Sequence, residues 1–187
     1  SSLKFLDPAC GSGNFLTESY LSLAKLEITA LEATKDAGEM FVSGQPKVDI
    51  SQFYGIEIND FAVTVAKTAL WIAESQVNSL VNAIVQEKRA YFPLKTSANI
   101  VEGNALRMDW ATLQDLTPRP PLLVGEGELS LFEGFYTHVD GTAHKYDYIM
   151  GNPPFVGARL MSESQKNDVV SVFGNIKNIG NLDYVSC

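Results

Sequence analysis

Four short apolar runs punctuate the chain. Lys4-Phe5-Leu6, Phe53-Tyr54-Gly55-Ile56 and Asn99-Ile100-Val101 predict strands, and Tyr148-Ile149-Met150 predicts the end of a fourth, buried one. Between them the period changes. From Leu16 through Tyr20, Leu23 and Leu26 or Glu27 to Ala30 and Leu31, apolar residues recur every three or four positions. Phe61, Val65, Ala69 and Ile72 repeat that spacing, so both stretches predict packed helices. The second helix continues through residues 71–85 and frays into the charged run Gln86-Glu87-Lys88-Arg89. Ser162 starts a third, carried by Val169, Val170 and Phe173. Strands alternating with helices predict an α/β fold with a mostly parallel sheet and helices on both faces, its strands ending near Leu6, Ile56, Val101 and Met150.

Breakers mark the connections. Residues 36–49, with Gly38, Gly44 and Pro46, read as a loop. Residues 116–145 carry Pro118, Pro120, Pro121, Gly125, Gly127 and Gly134, and Asp140-Gly141 is a hairpin signal. They read as a partly extended insertion before the fourth strand, without chemistry of its own. Residues 181–187 open another apolar stretch, and no internal repeat is present.

The candidate chemistry sits where strands end. Residues 7–13 turn out of the first strand, and Gly11 and Gly13 allow positive φ and close approach of a ligand. Asn14 then opens a helix whose first amides face the bend. Without a Lys-Ser/Thr ending this is no P-loop, and it lacks the full dinucleotide spacing. Glu57 closes the second strand, and Asn59-Asp60 caps the following helix. An acid there suits a ribose diol, two oxygens accepting from two hydroxyls; a capping or salt-bridged Glu is the alternative. Gly151-Asn152-Pro153-Pro154-Phe155 stops the fourth strand with residues that cannot donate to a ladder. The Asn152 amide oxygen and a proline carbonyl make two acceptors for one amino group. On the exocyclic amine of adenine, two acceptors localise the lone pair and stabilise the charge that develops during attack. Phe155 can stack on a base extruded from a duplex. A plain turn followed by a core Phe is the alternative.

Asn152-Pro153-Pro154-Phe155, preceded by Asp7-Pro8-Ala9-Cys10-Gly11-Ser12-Gly13, resembles the motif pair of S-adenosylmethionine-dependent DNA adenine-N6 methyltransferases, in the gamma order with the cofactor motif first. The run from Gly151, with Gln165-Lys166 and Asp168 after the catalytic motif, is similar to the methyltransferase region of MmeI-like restriction-modification enzymes. The resemblance covers nearly the whole chain, but only the two motifs and the segment from Tyr54 to Glu57 are specific. It implies a Rossmann-like class I methyltransferase fold, truncated at its C-terminal side, with a cofactor half at 1–110, the insertion at 116–145 and the catalytic strand and loop at 146–160. It implies S-adenosylmethionine held by Asp7, Pro8, Ala9, Cys10, Gly11, Gly13, Asn14, Phe15, Glu57, Ile58, Asn104, Ala105 and Leu106. Catalysis would fall to Asn152, Pro153, Pro154 and Phe155. In the family the position of Asn104 holds Asp or Asn against the cofactor's adenine, with Leu106 packing on the ring. Asn here departs from the commoner Asp, and an ordinary loop Asn is the alternative.

Composition narrows the picture. With 187 residues, 45% of them hydrophobic, the chain can bury one sizeable core. Its net charge of −8 is the wrong sign for gripping DNA phosphates unaided. The resemblance implies a DNA partner whose phosphates are contacted mostly by a recognition domain beyond Cys187. No apolar run approaches the roughly 18 residues of a membrane span, and the start at Ser1-Ser2 reads as an excised piece without a leader. Cys10 and Cys187 make no disulfide framework, which fits a reducing cytoplasm, and His138 and His144 lack partners at metal-ligand spacing. A truncated sheet exposes an edge that can pair with another copy, so a dimer seen for this piece would read as an artefact of cutting. The rival functions are methylation of an RNA base or a protein glutamine amide, and a non-catalytic cofactor-binding subunit.

Overall fold

The structure, a computed structural model, describes residues 3–36, 47–85, 98–114, 145–153, 155, 156, 159–174, 184 and 185. The insertion at 116–144 with its hairpin signal, the run 86–89, most of the loop at 36–49, Pro154, His138, His144 and Cys187 lie outside them. Strands β1 (Phe5–Asp7), β2 (Phe53–Glu57), β3 (Asn99–Glu102) and β4 (Tyr148–Ile149) form one sheet in the order β3-β2-β1-β4. All three pairings are parallel, with Phe5 opposite both Phe53 and Tyr148, and Glu57 opposite Glu102. Helix α1 (Asn14–Asp36) connects β1 to β2, and α2 (Asp60–Val85) runs between β2 and β3. A second, two-stranded sheet pairs β5 (Phe155–Val156) antiparallel with β6 (Tyr184–Val185), and α3 (Glu163–Phe173) lies between them in sequence. Among the described residues no helix is long and apolar enough to cross a membrane.

Alternation along each strand sends side chains to two cores. Phe5, Phe53 and Ile100 face α1 and α2, packing with Leu16, Tyr20, Ala24, Ala66, Leu70 and Ala73. Leu6, Tyr54 and Ile56 face the opposite way, onto Ala105 and Leu113 with Trp110 and Tyr146 at the margin. That second face is covered, among the described residues, by two 3-10 turns, Ala105–Arg107 and Trp110–Gln114, and both long helices share the first. In-register aromatics reinforce the first face. Phe53, Phe5 and Tyr148 stack across three strands, with centroids 4.7 and 5.3 Å apart, and Tyr20 meets Phe53 edge-on.

Three expectations are corrected. The apolar stripe of α2 is Val63, Ala66, Leu70, Ala73 and Val77, while Phe61 and Ile72 of the expected stripe are 73% and 54% exposed. In α1 the stripe continues from Leu16 and Tyr20 to Ala24 and Ile28, and Leu26 is exposed. Both helices carry apolar residues at more than one helical face, and the small residues Ala24, Ala66 and Ala73 belong to the buried one. The fourth strand, expected to be buried, is an exposed edge, with Tyr148 and Ile149 54% and 59% accessible. Among the described residues it has a single strand neighbour, β1, with two residues in register.

Candidate active site

In the order β3-β2-β1-β4 the chain reverses its direction of winding between β1 and β4. The carboxyl ends of those two strands therefore flank a switch point, the crevice where open α/β sheets bind ligands. The bend at 7–13 and the segment Gly151-Asn152-Pro153 both leave the sheet there.

The bend is held by its own backbone and by two acids. Cys10 N–H donates to the Ile56 carbonyl at 3.0 Å, and Gly13 N–H to the Cys10 carbonyl at 2.8 Å. Ala9 N–H donates to Asp7 Oδ1 at 3.0 Å and Gly11 N–H to Glu57 Oε2 at 2.9 Å. Gly11 and Gly13 both take positive φ, +52° and +79°. Their surroundings differ. A Cβ at Gly11 would meet nothing within 4 Å, whereas one at Gly13 would stand 3.0 Å from Ala66 Cβ. Gly11 leaves space for a ligand; Gly13 brings the bend against α2. Cys10 directs its sulfur into the core, where burial and then the charges of Asp7 and Glu57 push its thiol up to about 12. Only its backbone can serve a ligand. Pro8 and Ala9 are half-buried and Asn14 is exposed at the head of α1. Phe15 lies along a groove with Leu3, Phe5, Leu23 and Tyr148, a lining to which Glu57 and Asn104 do not belong.

Asp7 links the two halves of the site. It is 1% exposed, and a Cβ at Gly151 would stand 2.6 Å from its Oδ1, so any side chain there would have to displace this carboxyl. Met150 N–H donates to the Leu6 carbonyl at 2.9 Å, and Ser19 of α1 reaches Met150 Sδ at 3.4 Å. Burial pushes the Asp7 carboxyl up from 3.8 to about 6; the Ala9 amide opposes this and the Glu57 charge adds to it. Asn152, next in the chain, is exposed, and its side chain makes no hydrogen bond among the described residues. Pro153 is half-buried. Phe155 enters β5, so Asn152 and Pro153 follow β4 and precede the β5/β6 pair in sequence.

Glu57 has two partners, Asn59 N–H on Oε1 and Gly11 N–H on Oε2, both at 2.9 Å. It thus fastens the bend as well as the turn into α2. Each carboxylate oxygen keeps lone-pair capacity for a further donor. The helix cap is Asn59, whose Oδ1 accepts from Ala62 N–H at 3.1 Å. Ile58 stands exposed beside it. From β3, Gly103 N–H donates to the Glu57 carbonyl at 2.9 Å, and Asn104 caps the following 3-10 turn through Leu106 N–H at 2.9 Å. Leu106 is half-buried, but Ala105 is packed under the sheet with Leu6 and Ile56, so its side chain is closed to a ligand.

Asp168, noted in the sequence only as part of a run, has a structural partner set. It is buried on α3 and accepts from Arg107 Nε and Nη2 at 2.8 and 3.1 Å and from Asn104 Nδ2 at 3.3 Å. A buried acid amid the apolar spacing of a short helix was the only sequence signal for it. Gln165 is engaged in the capping box of α3, its Oε1 accepting from Ser162 N–H at 2.9 Å. Among the described residues no group of three or more His, Cys, Asp and Glu side chains could hold a metal ion.

Comparison with known proteins follows the same outline. Residues 1–187 match the sequence family described as MmeI, DNA-methyltransferase domain. The chain is 39% identical over 186 residues to DNA methyltransferase A of Bacillus subtilis (strain 168), covering 98% of this chain and 18% of that protein. It is also similar to a solved structure of the Type IIL restriction-modification enzyme MmeI in complex with DNA. That likeness has a TM-score of 0.70 and 33% identity, over 98% of this chain and 21% of that one. The chain thus spans about a fifth of the length of either relative.

Proposed function

The chain belongs to the MmeI DNA-methyltransferase family, and on that premise we propose that it transfers a methyl group from S-adenosylmethionine to adenine N6 in DNA, within a longer cytoplasmic restriction-modification protein. The observation that carries this reading is the contact of Asp7 with Gly151. It sets the glycine bend and Asn152 side by side at the switch point, as a transfer between two bound molecules requires.

The residues present fit the cofactor. Gly11 offers an open backbone, Glu57 retains acceptor capacity for a diol, and Ile58 and Leu106 supply apolar surface beside it. Two carboxylates whose charges oppose one another, Asp7 and Glu57, favour a cationic ligand at this rim. When bound, S-adenosylmethionine supplies its methyl as an electrophilic sulfonium. Residues 1–110 would hold it, and 146–160 would carry the chemistry. The Asn152 amide oxygen and the Pro153 carbonyl accept from the target amine and gain strength as charge develops on nitrogen. Phe155 is assigned to stacking on the base. The net charge of −8 leaves most phosphate contacts to a recognition domain elsewhere in the protein.

The test is single-turnover methyl transfer by the full-length protein, with the product DNA digested and its nucleosides identified by mass spectrometry. Wild-type protein should yield N6-methyladenine. Asn152→Ala should bind cofactor almost normally yet react about 10²–10³ slower. A normal chemical step in that variant, or a methyl group on another base, would overturn the proposal.

A further inference from the structure

Residue 104 stands where the resemblance leads one to expect Asp more often than Asn, and the structure supplies a reason for the amide. Asn104 uses its two side-chain atoms in opposite directions. Oδ1 accepts from Leu106 N–H at 2.9 Å, within the turn that follows β3, and Nδ2 donates to Asp168 Oδ2 at 3.3 Å. Asp168 comes from α3, the helix that follows the Asn-Pro-Pro segment, and its two oxygens are also gripped by the Arg107 guanidinium at 2.8 and 3.1 Å. Asp168 is buried, whereas the Arg107 side chain is 59% exposed. A carboxylate at 104 would put an oxygen 3.3 Å from a second, buried carboxylate and remove the donor between them.

We propose that Asp168 is a positioning residue for the cofactor's adenine: it holds the Asn104 amide with its oxygen toward the turn and so obliges residue 104 to be an amide. This rests on the assignment of Asn104 to the adenine pocket. It also gives α3 a defined task. The helix fastens the segment after Asn152 to the turn after β3, so that cofactor binding and the catalytic loop share one anchor. Arg107 balances the Asp168 charge from the solvent side, which lets a buried carboxylate serve as a neutral amide's acceptor.

An exchange of the two side chains tests this in the full-length protein. Asn104→Asp should weaken S-adenosylmethionine binding, measured by calorimetry, by about tenfold or more, the scale of a lost bond to a charged acceptor. Asp168→Asn should weaken it less, because an amide can still accept. The double variant, Asn104→Asp with Asp168→Asn, restores one donor facing one carboxylate and leaves Arg107 Nε an amide oxygen, though Arg107 Nη2 loses its acceptor at 168. It should recover at least about threefold of the affinity that Asn104→Asp loses, a rescue that general damage to the fold would not produce. A double variant no better than Asn104→Asp, or an Asn104→Asp protein with unchanged affinity, would overturn the proposal. If the wild-type protein fails to bind S-adenosylmethionine, the functional reading is what fails. The same four proteins compared by urea unfolding then test the Asn104–Asp168 pairing on its own: favourable coupling between the exchanges upholds the pairing, and additivity overturns it and the proposal with it.

Discussion

Replacing Glu57 by Gln removes a single charge while keeping shape, and the structure says what should follow. Both carboxylate oxygens are occupied, Oε2 by the part-buried Gly11 amide and Oε1 by the exposed Asn59 amide, each at 2.9 Å. A glutamine has one acceptor oxygen, and its NH₂ must face whichever backbone N–H is left. The less costly arrangement keeps oxygen on Gly11 and leaves Asn59 to water. The Gly11 bond then loses its charge assistance, about 1 kcal/mol, and the exposed Asn59 bond costs about 1 kcal/mol more. Only the Gly11 bond breaks when the bend opens, so the bend should open more easily by about 1 kcal/mol, roughly fivefold, while the Asn59 loss falls on the turn into α2. Hydrogen exchange of the peptide containing Gly11 reads this directly in full-length protein without cofactor. Affinity for S-adenosylmethionine should fall by a further factor of about ten or more, as a diol loses its charged acceptor. Unchanged exchange at Gly11 together with unchanged cofactor affinity would refute both roles assigned to Glu57.

Gly151→Ala should cost about 1–3 kcal/mol of stability, since its Cβ would stand 2.6 Å from Asp7 Oδ1, and a normal thermal unfolding curve would contradict that contact. Asp7 gives a pH signature. Its folded carboxyl, raised from 3.8 to about 6, binds its proton more tightly than the unfolded chain does, so its contribution is fully present below about 4 and is lost as pH rises through about 6. Asp7→Asn should accordingly gain stability relative to wild type between pH 4 and pH 7, by up to about 3 kcal/mol, with denaturant titrations at the two pH values as the check. Gly13→Ala should destabilise more than Gly11→Ala: both meet an unfavourable positive φ of about 1–2 kcal/mol, but only Gly13 also meets Ala66. Equal unfolding midpoints for the two variants would show that the bend does not pack on α2 as described.

Local chemistry was legible in the sequence. The strands at Phe5, Phe53, Asn99 and Tyr148, the positive φ of Gly11 and Gly13, the Asn59 cap and the start of α3 at Ser162 each depend on a few neighbouring residues, and each stands where the pattern predicted. The two motifs that carry the family resemblance are likewise contiguous runs, so they too can be read without a fold. Tertiary structure decided what depends on distant partners. Apolar residues occupy several faces of α2, and no local rule chose Val63, Ala66 and Leu70 over Phe61, Val65 and Ala69. The choice followed from where the sheet lies and from which face carries side chains small enough to meet Gly13 and α1. The placement of β4 beside β1 brings Gly151 onto Asp7 from far along the chain, and it makes an exposed edge of a strand whose composition suggested burial. Asp168 acquires its role only because α3 folds against the turn after β3, which sets a buried carboxylate between an amide and a guanidinium more than 60 residues away in sequence. Those contacts are pairings in space, and the hydrophobic period of a segment carries no information about which partner its polar exceptions will meet.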